Sequence, residues 1–376
     1  MTPSKKHVTL VYYITPHGFG HAVRSLEVIR KLQQLDPLLE IIVVSDLPEF
    51  LIEQNVARRV KQRRRRLDVG LVQEDSIRFD LPATLDAVHS LHRRRTVLVE
   101  EEVDFLRSCG PGALVADVPF LAFPASSRCG IPGIGLGNFT WDWIYEGYAV
   151  RDNRWNPVVS WIRECYGYCD LFLQLPMHGD CSACPVILDV PLVARKSRRK
   201  PEETRALLQC GQDVKAYLVS FAYLDLDDKA QHRLEAAEST IFFYKRPLRL
   251  TSGNARSLDD LSQLSYADVI AAVDGVITKP GYGIVSDCVA NGTPMVFSDR
   301  GPFPEYEILV DSIQRHLTAV YMPSDDLYAG SWESAIRQIE QLPRHVPRIR
   351  IDGAEVCAEI ILGRLDRLGQ GRGRVE

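Results

Sequence analysis

The segment "YYITPHGFGHAVRSLEVIRKL", residues 12–32, contains the transition that decides the fold. It continues the apolar run "HVTLVYYI" (7–14), which is typical of a strand buried on both faces. Two glycines, Gly18 and Gly20, follow this run at once. Apolar side chains then recur at helical spacing, namely Ala22, Val23, Leu26, Ile29 and Leu32. The segment therefore predicts a strand, a tight glycine loop and a helix, which is the repeating unit of a parallel sheet.

The same order of elements repeats through the first half of the chain. Further strands are predicted at 40–46, 112–123 and 131–138, the second of them carrying Asp117 near its end. Helices are predicted from "LPEFLIEQ" (47–54) and over 94–110, where Gly110 ends the pattern. Strands that alternate with helices in this way indicate an α/β fold with a parallel sheet covered on both faces.

The second half has the same alternation after a different stretch of sequence. Residues 191–211 are polar and basic and contain a proline, so they are predicted to link two domains. Strands are predicted at 214–222 and 239–246. Residues 266–299 are predicted to form a helix, a strand, a glycine loop, a helix from about 284 to 291, and a strand. We expect two Rossmann-like, doubly wound domains, 1–195 and 196–376, facing each other across a cleft.

Composition excludes several classes of protein. The chain has 376 residues, 45% of them apolar, and a formal net charge of −4, so it gives no general case for binding nucleic acid or an anionic membrane. No signal peptide is evident, and no apolar run approaches the roughly 18 residues of a membrane span. We expect a cytoplasmic protein whose nine cysteines are reduced thiols.

The first glycine loop has features of both a nucleotide site and an acid–base site. A dinucleotide fingerprint would need a third glycine where Val23 stands, and His17 and His21 would crowd a pyrophosphate. No GxxxxGK[ST] sequence is present, which excludes a P-loop NTPase. A histidine can instead deprotonate a hydroxyl, and Asp117, at the C-terminal end of a parallel strand in the same sheet, could orient it. The alternative for each histidine is a structural hydrogen bond or a contact with phosphate.

The second glycine loop is "KPGYGIVSD", in which Gly281 and Gly283 stand between a predicted strand and a predicted helix. Free N–H groups at a helix start favour an anion, and glycines allow it to approach the backbone closely. Asp287, one turn into the helix, could accept hydrogen bonds from ribose hydroxyls. The alternative is that the glycines only make a short turn.

Several stretches together carry a resemblance to a known family. The chain resembles the GT-B glycosyltransferases, and more closely the N-terminal, glycosyltransferase-like half of plant L-arabinokinase and its stand-alone bacterial relatives. The stretches are "YYITPHGFGHAVRSLEVI", "LVADVPFLAF", "GNFTWDWIYEGY", "VILDVPLVARK" and "KPGYGIVSDCVANGTPMVF". No Gly-Leu-Ser-Ser-Ser phosphate loop is present, so kinase activity is not expected.

The resemblance implies a role for each domain. The C-terminal domain would hold a nucleotide-diphosphate sugar, with a UDP sugar as the expected donor, and the N-terminal domain would hold a hydroxyl acceptor. The implied donor contacts are Ser220, Lys279, Gly281, Tyr282, Gly283, Asp287, Glu305 and Glu307. The implied base is His21, oriented by Asp117. The acceptor contacts are expected at His17, Gly18, Arg24, Asn138, Trp141 and Asp142.

Two other features allow further interpretations. Cys165, Cys169, Cys181 and Cys184 have a spacing that zinc could use, although packed thiols would give the same pattern. The basic runs at 61–66 and 92–95 are typical of solvated surface, with contact to a phosphorylated acceptor or a lipid headgroup as the alternative.

The resemblance therefore implies an inverting glycosyltransferase, and we expect it to need neither cofactor nor metal. Two alternatives stay open, a nucleotide-sugar 2-epimerase and a non-catalytic sensor of sugar nucleotides. The expected partners are a nucleotide sugar and an unidentified acceptor, with peripheral membrane contact and a sugar kinase partner left open and no nucleic acid.

Overall fold

The structure is a computed structural model that describes residues 8–211, 213–237, 239–346 and 348–371, without the side chains of 366–371. The chain divides into two compact units. The first unit runs to Val72 and comprises also Asp80–Val193 and the chain from Arg350 onward. The second unit comprises Gln73–Phe79 and Ala194–Ile349. The sequence-based domain boundary at 195/196 lies two residues from the division at Val193. The sequence did not predict that Gln73–Phe79 belongs to the second unit, or that the chain from Arg350 onward belongs to the first.

The first unit is built on a seven-stranded sheet with the order β3-β2-β1-β6-β7-β8-β9, in which all strand pairs are parallel. Its strands are β1 (Thr9–Ile14), β2 (Glu40–Val44), β3 (Lys61–Arg63), β6 (Ala113–Asp117), β7 (Gly133–Gly137), β8 (Leu171–Gln174) and β9 (Ile187–Asp189). A separate two-stranded sheet joins β4 (Val72–Gln73) and β5 (Phe79–Asp80).

Among the described residues, seven helices and a 3₁₀ turn of the first unit precede Val193. They are α1 (Phe19–Leu35), α2 (Glu49–Asn55), α3 (Leu81–Arg93), α4 (Arg95–Cys109), α5 (Ala122–Arg128), α6 (Trp141–Ala149), the 3₁₀ turn Asn153–Trp155 and α7 (Asn156–Tyr166). Local chemistry sets several ends. Asp80 caps α3 by accepting from the backbone N–H of Ala83, and Gly110 ends α4 with φ +54°.

The second unit has a six-stranded parallel sheet with the order β12-β11-β10-β13-β14-β15. Its strands are β10 (Lys215–Ser220), β11 (Thr240–Tyr244), β12 (Ala255–Ser257), β13 (Gly275–Thr278), β14 (Met295–Phe297) and β15 (Ala319–Tyr321). Its helices are α8 (Pro201–Leu207), α9 (Asp228–Glu235), α10 (Tyr266–Ala272), α11 (Tyr282–Asn291), α12 (Glu305–His316), α13 (Ser324–Tyr328) and α14 (Glu333–Gln341).

Both sheets reverse their strand order at one place, and this confirms the predicted fold class of two Rossmann-like, doubly wound domains. In the first unit the reversal lies between β1 and β6, and in the second between β10 and β13. Ligands of doubly wound sheets bind outside the carboxyl ends of the strands at this reversal. The fold therefore directs attention to the residues that follow β1 and β6, and to those that follow β10 and β13.

Three sequence-based boundaries differ from the structure. The strand predicted over 112–123 ends at Asp117, because Val118 has φ +68° and Pro119 follows it. The predicted linker 191–211 contains α8, which has Pro201 at its first position, where a proline favours helix. The helix predicted from residue 284 begins two residues earlier, at Tyr282.

The last helix, α15 (Gly353–Gly371), belongs to the first unit although it follows the second in sequence. It packs against α1 and buries the side chains of Ala354, Cys357, Ala358, Ile361 and Leu365. The sequence-based domain 196–376 placed this helix in the second unit. Periodicity identifies an amphipathic helix but does not say which sheet it covers.

Candidate functional site

The site in the first unit forms where β1 and β6 end side by side. Ile14, the last residue of β1, is paired with Asp117, the last residue of β6. Gly18 then takes φ +85° and caps α1, which places His21 in the first turn of that helix. This backbone geometry explains why a glycine precedes the helix, since other residues rarely adopt a positive φ.

His21 and Asp117 are in direct contact, although they lie 96 residues apart in the chain. The distance from Nδ1 of His21 to Oδ1 of Asp117 is 2.8 Å. Asp117 is completely buried, whereas the side chain of His21 is 12% exposed. The contact therefore leaves the imidazole as the part of the pair that a ligand can reach.

Asp117 is also held by three donors that come from α1. Arg24 donates from Nε to Oδ2 at 2.7 Å and from Nη2 to Oδ1 at 2.6 Å. The hydroxyl of Ser25 donates to Oδ2 at 2.6 Å. Burial by itself raises the pKa of Asp117, but the charges of Arg24 and His21 and their hydrogen bonds outweigh it and hold the pKa well below its usual value. Asp117 is therefore an anion at any physiological pH.

Arg24 and Asn138 lie in the interior, behind the His21–Asp117 pair. Arg24 is 3% exposed and Asn138 is completely buried. Arg24 donates from Nη1 to Oδ1 of Asn138 at 2.6 Å. The expected acceptor contacts of both residues stay predictions, and the structure shows Arg24 bonded to Asp117 and Asn138 bonded to Arg24. Ser25, which sequence reasoning missed, stands four residues after His21, the spacing that brings two side chains to one helix face.

His17 forms a second histidine–carboxylate pair in the first unit. Its Nε2 lies 3.6 Å from Oδ1 of Asp68, and Asp68 also accepts from Nε1 of Trp141 at 3.0 Å. Burial lowers the pKa of His17, although the charge of Asp68 opposes this effect. Gly70, with φ +70°, lies under the ring, where a Cβ would come within 2.3 Å of Cγ of His17. The sequence offered no signal for Asp68, which follows a basic run.

Trp141 and Asp142, which begin α6, lie mainly in the interior of the unit. Trp141 is 3% exposed and stacks on Tyr145, with ring centroids 5.5 Å apart. Asp142 is 2% exposed and accepts from Nε of Arg163 at 3.2 Å. Burial raises the pKa of Asp142. An acceptor could therefore contact these two residues only if their side chains became more exposed than they are in this structure.

The site residues of the second unit gather where β10 and β13 end. Ser220 ends β10 and accepts at Oγ from the hydroxyl of Tyr266 at 2.7 Å. Lys279 directly follows β13 and donates from Nζ to the carbonyl of Ser76. Burial, helped by the charge of Arg300, lowers the pKa of Lys279 to about 7. Ser76 comes from the first half of the sequence, so sequence reasoning did not pair it with this loop.

Gly281, Tyr282 and Gly283 form the start of α11 beside these strand ends. Gly281 caps the helix in an extended conformation without a side-chain hydrogen bond, and the first turn contains no acidic residue. A Cβ at Gly281 would meet nothing closer than 4.0 Å. Tyr282 and Gly283 are buried within the first turn. The positive end of the helix dipole therefore carries no acidic side chain in its first turn to oppose an incoming anion.

Asp287 lies in α11, but its carboxylate is engaged inside the unit. Arg195 donates to Oδ1 from its backbone N–H at 2.8 Å, and to Oδ2 from Nε at 3.0 Å and from Nη2 at 2.5 Å. Asp287 is 2% exposed. The structure therefore uses Asp287 to attach residue 195 to α11, and a ribose contact would have to displace these bonds.

Glu305 and Glu307, the remaining expected donor contacts, differ in environment. Glu305 is 2% exposed and accepts from Nη1 of Arg300 at 2.8 Å. The same Nη1 donates to the carbonyl of Pro280 at 3.0 Å, which connects Glu305 to the glycine loop. Glu307 is exposed. The structure brings Glu305 into the surroundings of the loop and leaves Glu307 at the surface.

The four spaced cysteines are buried in the first unit as free thiols. Burial raises the pKa of Cys165 and of Cys181 to about 12, which opposes the thiolate that a metal would need. Among the residues that the structure describes, no three His, Cys, Asp or Glu side chains are grouped as metal ligands. Likewise, none of the described helices is both long enough and apolar enough to cross a membrane.

The basic run 61–66 is engaged in ion pairs within the first unit. Arg63 and Arg65 contact the completely buried Glu102, with N–O distances of 2.7 and 3.0 Å. Arg66 contacts Asp46 at 2.9 Å. These arginines therefore balance carboxylates of the same unit.

Comparison with known proteins gives one similar sequence and many similar structures. No family model matches the chain. Over 371 residues, 96% of this chain, it is 30% identical to L-arabinokinase of Arabidopsis thaliana. The match covers 35% of that protein, so the chain spans about a third of the length of this curated relative.

The similar solved structures include several glycosyltransferases. CalG4, the calicheamicin glycosyltransferase, is 14% identical with a TM-score of 0.60 over 98% of this chain and 99% of its own. VinC in complex with dTDP is 12% identical with a TM-score of 0.56 over 96% of each chain. A UDP-glucosyltransferase from Polygonum tinctorium is 12% identical with a TM-score of 0.58 over 97% of this chain and 93% of its own. With two doubly wound parallel sheets and these likenesses along almost its whole length, the chain has the GT-B fold of the glycosyltransferases.

Proposed function

We propose that this protein is an inverting glycosyltransferase that moves a sugar from a nucleotide-diphosphate sugar, with a UDP sugar expected, to a hydroxyl group of the acceptor. The observation that carries the proposal is the 2.8 Å contact between His21 and Asp117 at the strand-order reversal of the first unit. A buried carboxylate that orients a partly exposed histidine is the arrangement that activates hydroxyl nucleophiles.

The first unit would supply the base. Nδ1 is the ring nitrogen that faces Asp117, so Nε2 is the nitrogen left for the acceptor. Nε2 would take the hydroxyl proton while the acceptor oxygen bonds to the anomeric carbon of the donor. The bond from that carbon to the diphosphate breaks, and the diphosphate leaves with the electron pair. A single displacement of this kind inverts the anomeric configuration.

The second unit would hold the donor and stabilise the departing diphosphate. The start of α11 offers N–H groups and the positive end of a helix dipole, and Gly281 leaves the backbone open to close approach. Lys279 adds an ammonium group beside the same loop. Donors placed where negative charge develops can replace a divalent cation, so the proposed reaction needs no metal.

The comparisons support the class of donor. VinC was crystallised with dTDP, and the Polygonum tinctorium protein is a UDP-glucosyltransferase. Both neighbours share the GT-B fold with this chain, in which we place the nucleotide on the second unit. The similarity to part of L-arabinokinase adds a sugar kinase as the expected kind of partner.

A donor screen tests the proposal. Purified protein is titrated by calorimetry with UDP, dTDP and GDP sugars, and release of the nucleotide diphosphate is then followed with a panel of alcohol, phenol and sugar acceptors. We expect one nucleotide class to bind and to be turned over, and the His21→Ala variant to bind it without turnover. Failure of every nucleotide sugar to bind the folded protein would contradict the proposal.

A non-catalytic sensor of sugar nucleotides is the second candidate, because one observation favours it. Arg24 contacts both oxygens of Asp117 and so neutralises the carboxylate that a strong base would use. A sensor would bind a nucleotide sugar in the same screen and release no nucleotide diphosphate with any acceptor.

A further inference from the structure

The segment Gln73–Phe79, which we call the strap, comes from the first half of the sequence but belongs to the second unit. Ile77 is buried in the same apolar cluster as residues of β10 and β13. The hydroxyl of Ser76 accepts from the backbone N–H of Tyr223, which follows β10, at 2.9 Å. Gly301, which follows β14, has φ +52°, and a Cβ there would come within 2.6 Å of the carbonyl oxygen of Ile77. The strap therefore lies at the carboxyl edge of the second sheet, where ligands of such sheets bind.

The carboxylate of Asp75 determines the backbone conformation of the strap. Its Oδ1 accepts from the backbone N–H groups of Ile77 at 2.7 Å and of Arg78 at 2.8 Å. Its Oδ2 accepts from Nε of Arg78 at 2.8 Å and from the hydroxyl of Tyr328 at 3.1 Å. Burial by itself raises the pKa of Asp75, but these hydrogen bonds outweigh it and hold the pKa below its usual value. An aspartate that bonds the N–H two residues further on fixes a turn.

The peptide between Ser76 and Ile77 connects this turn to the glycine loop of the second unit. Its N–H, which belongs to Ile77, donates to Oδ1 of Asp75. Its carbonyl, which belongs to Ser76, accepts from Nζ of Lys279. The N–H and C=O of a planar trans peptide point in opposite directions. The bond that Asp75 makes on one side of this peptide therefore fixes where the carbonyl points on the other side.

Lys279 gains a fixed position from this carbonyl. The described residues give its Nζ one acceptor, the carbonyl of Ser76. An ammonium has three N–H groups, so two are left for an anion at the start of α11. The charge of Arg300 repels this ammonium, whereas the charge of Asp75 attracts it. Because the lysine stem is flexible, an ammonium that is held in place beforehand loses less conformational entropy when the anion binds.

We propose that Asp75 is a positioning residue, which holds the Ser76–Ile77 peptide in the orientation that keeps the ammonium of Lys279 ready for the diphosphate. The role rests on the proposed donor site of the second unit, but the contacts that define it exist without a ligand. A segment without any glycine loop, from the first half of the sequence, thus contributes to the site in the second unit.

The first test measures the affinity for UDP by calorimetry at pH 6, where Lys279, with a pKa of about 7, is mostly protonated. Asp75→Ala and Asp75→Asn both remove the carboxylate charge, but the amide oxygen of Asn still accepts from the two backbone N–H groups. Charge alone predicts that both variants bind the anion more tightly than wild type. If Asp75 positions Lys279, Asp75→Ala should bind UDP about tenfold more weakly than Asp75→Asn, as expected for one charge-assisted hydrogen bond.

The same two variants are then compared in a Lys279→Met background. The difference between Asp75→Ala and Asp75→Asn should disappear there, because no ammonium is left to position. A difference that persists would show that the turn acts through the fold and not through Lys279. Equal affinities of the two variants in the presence of Lys279 would also overturn the proposal.

A second test needs no ligand. Lys279 is labelled with a limiting amount of acetic anhydride, and its modification is followed by mass spectrometry of the peptides. We expect labelling to be about three- to tenfold faster in Asp75→Ala than in Asp75→Asn, the range for one lost hydrogen bond. Asp75→Ser, whose hydroxyl forms a weaker turn, covers the case in which Asp75→Ala does not fold, and it should also be labelled faster than Asp75→Asn.

The two tests separate a failure of this role from a failure of the proposed function. Equal labelling of Lys279 in the variants would overturn the role of Asp75 even if UDP binds. If no nucleotide bound to the wild-type protein, the proposed donor site would be wrong, and the labelling would still decide whether Asp75 holds Lys279.

Discussion

At the scale of single residues, the first prediction separates the two histidines of the loop. If His21 is the base, His21→Ala should lower kcat by about two to four orders of magnitude, the range usual for a lost acid–base catalyst. Donor affinity should not change, because we place the donor on the second unit. Initial rates and calorimetric titrations on the folded variant measure both quantities.

His17→Ala is the control for that experiment. His17 pairs with Asp68 and not with Asp117, so its loss should raise the acceptor KM more than it lowers kcat. A large loss of kcat in His17→Ala, with His21→Ala still active, would move the role of base to His17.

Lys279 leads to a pH-dependent prediction for the second unit. Its pKa of about 7 means that the ammonium is lost as the pH rises through neutrality. Only the ammonium attracts a diphosphate, so the affinity for a nucleotide sugar should fall between pH 6 and 8.5, by up to about tenfold for one charge-assisted hydrogen bond. Lys279→Met should bind more weakly at pH 6 and show a flat profile. Tighter binding at high pH, or an unchanged profile in Lys279→Met, would show that Lys279 does not contact the donor.

At the scale of elements, α11 allows its two ends to be tested against each other. Gly281 at the start is extended and has room for a Cβ, so Gly281→Ala should leave stability unchanged while obstructing a diphosphate. Gly292 at the end has φ +65°, so Gly292→Ala should lower the free energy of unfolding by about 1 kcal/mol and leave nucleotide affinity unchanged. Denaturant unfolding measures the stability of both variants, and nucleotide titrations measure their affinity. If Gly281→Ala bound the nucleotide as tightly as wild type, the proposed position of the diphosphate would be wrong.

The same helix carries the prediction about metals. We propose that the N–H groups at the start of α11 stabilise the leaving diphosphate, so turnover should be unchanged in EDTA. The measurement compares rates in EDTA with rates in added Mg²⁺ or Mn²⁺. Activity that disappears on chelation and returns with either cation would assign this stabilisation to a metal ion instead.

At the scale of the whole molecule, the return of α15 to the first unit predicts where the C-terminal residues act. Ile361 is completely buried, so Ile361→Ala should reduce the free energy of unfolding by about 2–5 kcal/mol. Hydrogen exchange should become faster in β1 and α1 and stay unchanged in β13 and α11. Leu342→Ala, at a 40% exposed leucine of the second unit, is the control and should change neither region. Faster exchange in the second unit alone would contradict the assignment of α15.

The sequence was sufficient for the central strands, for several of the helices and for part of the site. Buried parallel strands appear as apolar runs, and helices appear as apolar residues at a period of 3.6, so each is visible within ten to twenty residues. Glycine loops between them mark where such sheets bind ligands. The contact of His21 with Asp117, 96 residues away, was expected because Asp117 ends a strand of the same predicted sheet and because the family resemblance implied the pair.

What the sequence by itself determined is therefore local: two runs of alternating strands and helices, their glycine loops, and the residues that the loops present. Only the tertiary structure decided which distant residues are bonded to each other. Arg24 donates to Asp117, Arg195 donates to Asp287, and Lys279 donates to the carbonyl of Ser76. The structure also decided that α15 belongs to the first unit. The physical reason is that hydrophobic periodicity shows which side chains are buried, but it does not show which element they pack against. Partners more than ninety residues apart are chosen by packing and charge pairing in the folded chain, which local pattern does not encode.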